Sequence, residues 1–407
     1  MTRHIPWKTL TATVLSATTL CFAILSIQAD GDWSPPLNLS ASSVHTENAS
    51  IAVDASGRIH VVWSEGGEIL HRFRDANGWS AAAYVASGTS PHLAADAAGG
   101  VHLVFANRFA SIDDIYFISW RAVSGWGLPL NLSEGVGVSF SPRLAIAPDH
   151  DFAVVWSVQS GDSQFVYVAR SADGLLWSMS PVPNAHGAHP VVGFSPAGDL
   201  LVAWQEPYDD VGSPPEVFVS QQTGSQWTLP VDVSASPEAD SRLPALAVGP
   251  GGVYLAWQEA GPEGQAVYLS KMTDGEWTVP QKRSGFGQAF APAMAFDVSG
   301  HGHMVWTTEN AVQYVNWSPL TAIWQPIEDV TVGEVGPSGA GIALQGSPHV
   351  IWLAEASRDN DDVYYIRRAV EPSPTPSATP TATATPTLGP SWSVFLPCIL
   401  VGSQPMP

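Results

Sequence analysis

The sequence predicts an all-β protein, a seven-bladed β-propeller of four-stranded antiparallel blades, closed by the N-terminal strand completing the last blade. Three observations carry this expectation. A landmark aromatic (Trp63, Phe105, Trp156, Trp204, Trp257, Trp306, Trp352) ends seven apolar runs, at intervals of 42, 51, 48, 53, 49 and 46 residues. A second landmark (Trp79, Trp126, Trp177, Trp227, Trp277, Trp324) recurs at intervals of 47, 51, 50, 50 and 47. Self-similarity at this period marks a repeat architecture, and radial repetition of four short strands is a propeller. The composition agrees: 36 Gly and 34 Pro among 407 residues, with only 13% charged, suits short strands and tight turns rather than helices.

Each unit runs in the same order. A short first strand (Ser50–Asp54, Pro244–Val248) leads through a Gly-bearing turn (Ala55-Ser56-Gly57, Pro196-Ala197-Gly198) to a second strand that ends on the first landmark. A variable loop precedes the third strand (Ile115–Ser119, Val166–Ala169, Val217–Ser220, Val267–Ser270, Val363–Ile366). A polar turn such as Asp173-Gly174 or Asp274-Gly275 brings in the second Trp and a short fourth strand. The seventh unit, Gly339 to Ala369, stops after its third strand. The missing second Trp and fourth strand stand near the other end of the chain, in Gly31-Asp32-Trp33-Ser34-Pro35-Pro36-Leu37-Asn38-Leu39-Ser40, which matches Gly125-Trp126-Gly127-Leu128-Pro129-Leu130-Asn131-Leu132-Ser133 and Gln226-Trp227-Thr228-Leu229-Pro230-Val231-Asp232-Val233-Ser234. Pairing the two ends removes two exposed strand edges.

The flanks read differently from the repeats. Residues 1–29 carry a basic start (Arg3, His4, Lys8), an apolar stretch and a small residue, Ala29, the pattern of a cleaved signal peptide. The propeller is expected over 30–369, a Pro/Thr-rich stalk over 370–390, and a short apolar tail over 391–407. The tail is too short to span a bilayer and resembles C-terminal sorting tags. This organisation predicts an exported protein, free outside the cell or held at its surface by the tail. Cleavage removes Cys21 and leaves Cys398 as the only cysteine, so no intramolecular disulfide is expected. It also leaves 37 acids against 14 bases, a net charge of −23. Such a surface disfavours nucleic acid and anionic membranes. It suits cations, basic proteins or neutral carbohydrate, bound by a monomer whose propeller does not insert into a membrane.

The segments around the second Trp resemble, in degenerate form, the Asp boxes of sialidase-like propellers, with Ser171-Ala172-Asp173-Gly174-Leu175-Leu176-Trp177 the nearest copy, one residue short between Asp and Trp. In that family the box is a stabilising turn away from the catalytic face. The resemblance implies the propeller fold, and as an activity a sialidase-like glycoside hydrolase. That chemistry uses three arginines on a carboxylate, a Tyr–Glu nucleophile pair and an Asp acid. Arg143 and Arg242, beside first strands, are the candidate arginines, no third accompanies them, and the family's early Arg-Ile-Pro motif is absent. The leading expectation is therefore a non-catalytic binding or scaffold module for carbohydrate or protein, with the glycoside hydrolase as the alternative.

Acids gather in the loops between second and third strands. Glu65, Glu206, Glu259, Glu309 and Glu355 follow the first landmark, and Asp113, Asp114, Asp162, Asp209, Asp210 and Glu263 lie further along. They are expected to form an acidic ring on one face, either as a binding surface or as a device for solubility. No cofactor is expected apart from calcium, for which Asp359, Asp361 and Asp362 are the candidate ligands. The alternative there is a repeated strand start, since Asp361-Asp362-Val363-Tyr364 echoes Asp113-Asp114-Ile115-Tyr116. His60, His102, His303 and His349 share one slot three residues before the landmark. Equivalent slots diverge radially, so these histidines are expected to pack between blades and bond neighbouring backbone, not to hold metal.

Overall fold

The computed structural model describes residues 33–107, 113–207, 213–249, 251–285, 288–357 and 360–368. The segments expected as signal peptide (1–29), stalk (370–390) and tail (391–407), with Cys398, lie outside these residues. Seven antiparallel sheets follow one another along the chain. Blade one consists of Thr46–Val53, Ile59–Glu65, Glu68–Asp75 and a fourth strand in two pieces, Gly78–Trp79 and Ala83–Ser87, both paired with the third. The same plan recurs through blade six, and in blade three the fourth strand is the single piece Ser178–Pro181. Splitting of the fourth strand departs from the expectation of one short strand. In blades two, four, five and six a proline (Pro129, Pro230, Pro280, Pro326) stands between the two pieces, where it has no N–H for the ladder.

Closure occurs as predicted. Blade seven holds Ser338–Leu344, Pro348–Ser357 and Asn360–Arg367, and its fourth strand is Leu37–Asn38, with Leu37 opposite Tyr365 and Asn38 opposite Tyr364. Trp33 extends the pairing to Arg368. Its indole donates to Glu328 of blade six at 3.3 Å, and the Arg368 guanidinium lies 5.6 Å from its ring centre. Leu39 is buried among Trp63, Ile351 and Val363, in the seam between blades seven and one.

The core is a set of seams. Each hydrophobic cluster joins two neighbouring blades. The landmark aromatics are fully buried and face the preceding blade: Trp156 of blade three packs on Val104, Ile115 and Phe117 of blade two. The second strand thus reads as a continuous apolar run because both its faces are covered. First strands lie innermost, each beside the first strands of its two neighbours.

The histidine slot faces the next blade and is buried. Its partners are mostly side chains where backbone was expected, although His349 also bonds the backbone of Gln345. His102 reaches Ser119 Oγ and Asp96 Oδ2, both at 2.8 Å, and His303 and His349 each meet a tyrosine hydroxyl at 2.7 Å. In blade one a relay runs from the Trp126 indole to His71 (3.3 Å), on to His60 (3.0 Å) and to Asp54 (3.3 Å). Asp54 also accepts the amides of Ser56 and Arg58 at 2.8 and 2.9 Å, fastening the turn between first and second strands. The spacing Asp-x-x-Gly-x-x-His, in Asp54–His60, Asp96–His102 and Asp297–His303, carried this signal in the sequence.

Candidate functional site

Thr46, at the start of the first strand, pairs with Glu65 at the end of the second. Blade connections and the loops between second and third strands therefore share one face, as the acidic ring requires. The structure divides the predicted acids by their partners. Glu65, Glu206 and Glu259 each accept the indole N–H of the landmark Trp two residues earlier, at 3.0 Å from Trp63 and 3.1 Å from Trp257, with Trp204 bonded likewise to Glu206. Glu65 also accepts Ser42 Oγ, Glu206 the His186 amide at 2.9 Å, and Glu259 the Ser236 and Ser241 hydroxyls at 3.0 and 3.2 Å. Burial holds the Glu206 carboxyl above its ordinary value, opposed by the Trp204 bond. These three acids are fastenings of buried indoles. Glu309 and Glu355 are exposed, as are Asp162 and Glu263. Asp209 and Asp210 lie outside the described residues.

A second set of acids clasps the fourth strand. Asp362 Oδ2 accepts Asn38 Nδ2 at 2.6 Å, and its Oδ1 accepts Ser40 Oγ at 2.7 Å and the Ser42 amide at 3.2 Å. Asp114 does the same in blade two, for Asn131 Nδ2 at 2.9 Å and Ser133 Oγ at 3.1 Å. Glu216 takes that place in blade four, accepting Ser234 Oγ and the Ser236 amide. Of the candidate calcium ligands, Asp362 is thus committed to the N-terminal strand, Asp361 is half-buried beside it and Asp359 lies outside the described residues. Among the described residues no cluster of three or more His, Cys, Asp or Glu is arranged to hold a metal ion.

All seven first strands carry a β-bulge near this face. At each bulge one residue has positive φ: Asn48 (32°), Ser90 (53°), Ser141 (52°), His189 (51°), Leu243 (50°), Ala291 (46°) and Gly339 (58°). In blades two to six a proline follows it (Pro91, Pro142, Pro190, Pro244, Pro292), tolerable because this strand is the inner edge of its sheet. Three of the strained amides are held from the preceding blade: His189 by Ser157 Oγ (3.1 Å), Leu243 by Gln205 Oε1 (2.9 Å) and Ala291 by Gln258 Oε1 (3.0 Å). Such clasped bulges re-aim the strand end and set the loops on a rigid rim. Arg143 and Arg242 sit beside this rim. Arg242 is exposed and paired with Asp240, whereas Arg143, among the described residues, bonds only the Pro142 carbonyl, at 2.9 Å. Sequence reasoning missed the bulge ring, although the five X-Pro steps opening first strands were a visible signal.

On the same face, blade six carries an open cavity of about 430 Å³. Glu309 of the acidic ring lines it with Asp329, Gln288, Asn310, Gln313 and Ile327. Gln313 links two functions: its Oε1 accepts the Trp306 indole at 2.9 Å, and its Nε2 donates to Asp329 Oδ1 at 2.8 Å. The lining offers carboxylate acceptors and amides beside the aliphatic side chains of Ile327 and Ala289. Among the described residues no helix is long and apolar enough to cross a membrane.

No protein-family model matches the chain, and no curated protein matches it. Solved structures do. A catalytically inactive virginiamycin B lyase from Staphylococcus aureus, solved with quinupristin, is similar at TM-score 0.55 and 13% identity, over 82% of this chain and 99% of that one. A protein of unknown function from Dyadobacter fermentans is similar at TM-score 0.54 and 11% identity, over 82% and 97%. The Trypanosoma rangeli sialidase aligns at TM-score 0.48 and 11% identity, over 80% of this chain and 55% of its own. At these identities the likeness is one of fold. The propeller is a scaffold shared by lyases and by proteins without assigned activity, so function has to be argued from the site.

Proposed function

We propose that this chain is an exported, non-catalytic binding module that takes a neutral carbohydrate in the blade-six cavity. The observation that carries the reading is the lining itself: Glu309 and Asp329 as acceptors, Gln288, Asn310 and Gln313 as amides, and Ile327 as an apolar contact for a sugar face. A few placed polar groups beside an apolar surface fix the orientation of a small ligand. An acidic loop face favours a neutral polyol over an anionic one. Three of the other predicted acids support the scaffold: Glu65, Glu206 and Glu259 hold indoles. The Ser171–Trp177 turn, in which Asp173 Oδ1 accepts the amides of Leu175 and Leu176 at 2.8 and 2.9 Å, belongs to this structural set as a degenerate Asp box.

The test is a panel of neutral oligosaccharides, read by melting shift and by product analysis, on the parent and on Glu309→Ala/Asp329→Ala. At saturating ligand the parent should melt several degrees higher with no product formed, and the double variant should lose most of the shift. Turnover of any panel member would overturn the non-catalytic reading. A shift that survives the double variant would move the site off blade six.

A further inference from the structure

In six blades the second landmark Trp is paired to the third strand or its end. Trp79 lies opposite Arg74, Trp126 opposite Trp120, Trp227 opposite Gln222, Trp277 opposite Met272, Trp324 opposite Trp317 and Trp33 opposite Arg368. Blade three departs from this plan. Its third strand, Ser163–Ser171, pairs Arg170 with Ser178, and Trp177 stays outside the ladder. The turn Ser171–Trp177 is held from within: Ser171 Oγ accepts the Gly174 amide at 2.9 Å, and the Trp177 indole donates to the Gly174 carbonyl at 3.2 Å. Beside the turn lies an open cavity of about 370 Å³, whose lining includes Asp151, Arg170, Ser171, Leu176, Trp177 and Ser178. Asp151 closes the turn between first and second strands, its carbonyl accepting the Ala147 amide at 2.8 Å. The cavity therefore opens on the face opposite the acidic ring.

One side of this cavity is polar. Arg170 Nη2 donates to Asp151 Oδ2 at 3.0 Å, and Nη1 donates to Gln222 Oε1 of blade four at 3.2 Å. The guanidinium also lies 6.0 Å from the Phe194 ring centre, so blades three and four hold it together. Its remaining N–H groups are donors, and Asp151 Oδ1, which takes part in no hydrogen bond among the described residues, is an acceptor. The ion pair carries no net charge, so it suits an uncharged ligand better than an ion. Sugar hydroxyls both donate and accept, which matches a donor and an acceptor fixed side by side. The other side is apolar. Leu176 is exposed on the turn, and Trp177 is half-buried, with Phe117 and Phe152 at ring-centre distances of 4.9 and 6.1 Å. An aromatic ring beside a few placed polar groups is the composition of a small-ligand site, and the volume falls in the range of such sites.

We propose that this cavity seats one neutral sugar residue of a glycan, its ring face against Trp177 and Leu176 and two neighbouring hydroxyls on the Arg170–Asp151 pair. The seat is separate from the blade-six cavity and does not depend on it. The experiment therefore uses the full chain carrying Glu309→Ala/Asp329→Ala, in which blade six no longer contributes. Cellohexaose, laminarihexaose and mannohexaose are titrated into it while the Trp177 indole and Leu176 methyl signals are followed by NMR. At least one hexasaccharide should move both signals to saturation. Adding Arg170→Ala/Asp151→Ala removes the pair without leaving a lone charge, and should weaken that binding about tenfold or more. Trp177→Phe keeps an aromatic face and should weaken it about threefold or less, read on Leu176. If the Arg170/Asp151 double change prevents folding, Arg170→Lys decides, because it keeps the charge and loses the planar fork. It should bind several-fold more weakly, and unchanged affinity would overturn the seat. The proposal also fails if none of the three hexasaccharides moves the two signals, or if binding survives the loss of the pair at full strength. Shifts that appear only when Glu309 and Asp329 are intact would belong to blade six and would refute this seat.

Discussion

In blades one, four and five the indole of the landmark Trp ends on a carboxylate two residues on, and where the landmark is Phe105 the same position holds Asn107, which bonds the Ser87 carbonyl instead. Blade three has Val158 there, and Trp156 Nε1 is buried without a hydrogen-bond partner among the described residues. An acid at this position is thus found only where a landmark indole is there to bond it, in three of the six blades whose landmark is Trp. Glu206→Ala should leave the Trp204 N–H unsatisfied and cost about 1–3 kcal/mol. Glu206→Gln should cost less than half as much, because an amide oxygen still accepts, as Gln313 does for Trp306. Urea unfolding of the two variants checks this, and equal losses would count against the bond. The buried histidines set the pH response. Burial lowers His71 to about 3 and His303 and His349 to about 4. Below about pH 6.5 the unfolded chain binds protons that the folded chain refuses, so stability falls with pH by about 1.4 kcal/mol per unit for each such histidine until its folded value is reached. Asp54, Asp96 and Asp297, whose carboxyls are lowered, lose their contribution only further down, as pH falls through their folded values. Melting temperature should thus drop between pH 6.5 and 4.5, and His349→Gln should make that slope shallower. A slope unchanged by His349→Gln would show that other groups govern it.

At the scale of the strand, legibility followed covering. Second strands are apolar on both faces, so their seven copies stood out and the blade count followed. The closing strand was legible because Leu37-Asn38-Leu39-Ser40 repeats the chemistry of Leu130–Ser133: the Asn and Ser meet an acid at the head of the third strand, Asp362 in one case and Asp114 in the other. First strands were set too short, starting at Ser50 where the structure starts at Thr46. The reason is the bulge: one residue in left-handed conformation interrupts the alternation of side chains, and a period-two pattern does not cross it. The acidic ring was legible as composition but not as role. A Glu after a Trp reads as a solvated loop residue, and only the indole N–H, a donor inside a seam, turns it into a fastening. The Ser171–Trp177 turn was singled out for a resemblance, whereas the cavity beside it also takes Asp151 from another turn and is not written at any one place in the chain.

For the whole molecule, the ring is closed by non-covalent contacts between distant parts of the chain. In blade two the fourth strand follows its own third strand directly, so the Asp114 clasp joins near neighbours. In blade seven the same clasp joins Asp362 to Asn38 and Ser40, more than 320 residues away. Losing equivalent bonds should therefore cost more at the seam: a loosened blade-two strand stays tethered nearby, whereas a released N-terminal strand has to close a far longer loop to return. A released strand also bares the edge of Asn360–Arg367 and uncovers Leu39, whose burial among Trp63, Ile351 and Val363 joins blade seven to blade one. Asp362→Ala and Asp114→Ala are the matched pair, and Leu39→Ala and Leu132→Ala form a second. Each alanine at Leu39 or Leu132 should cost about 2–5 kcal/mol through the cavity it leaves. Both seam variants should melt below their blade-two counterparts by several degrees and speed amide exchange in blades seven and one before the other blades open. Deleting residues 31–40 should go further, to aggregation or a large loss of melting temperature. If the matched variants melt alike and exchange alike, the chain opens elsewhere, and the N-terminal strand is one blade edge among seven rather than the latch of the ring.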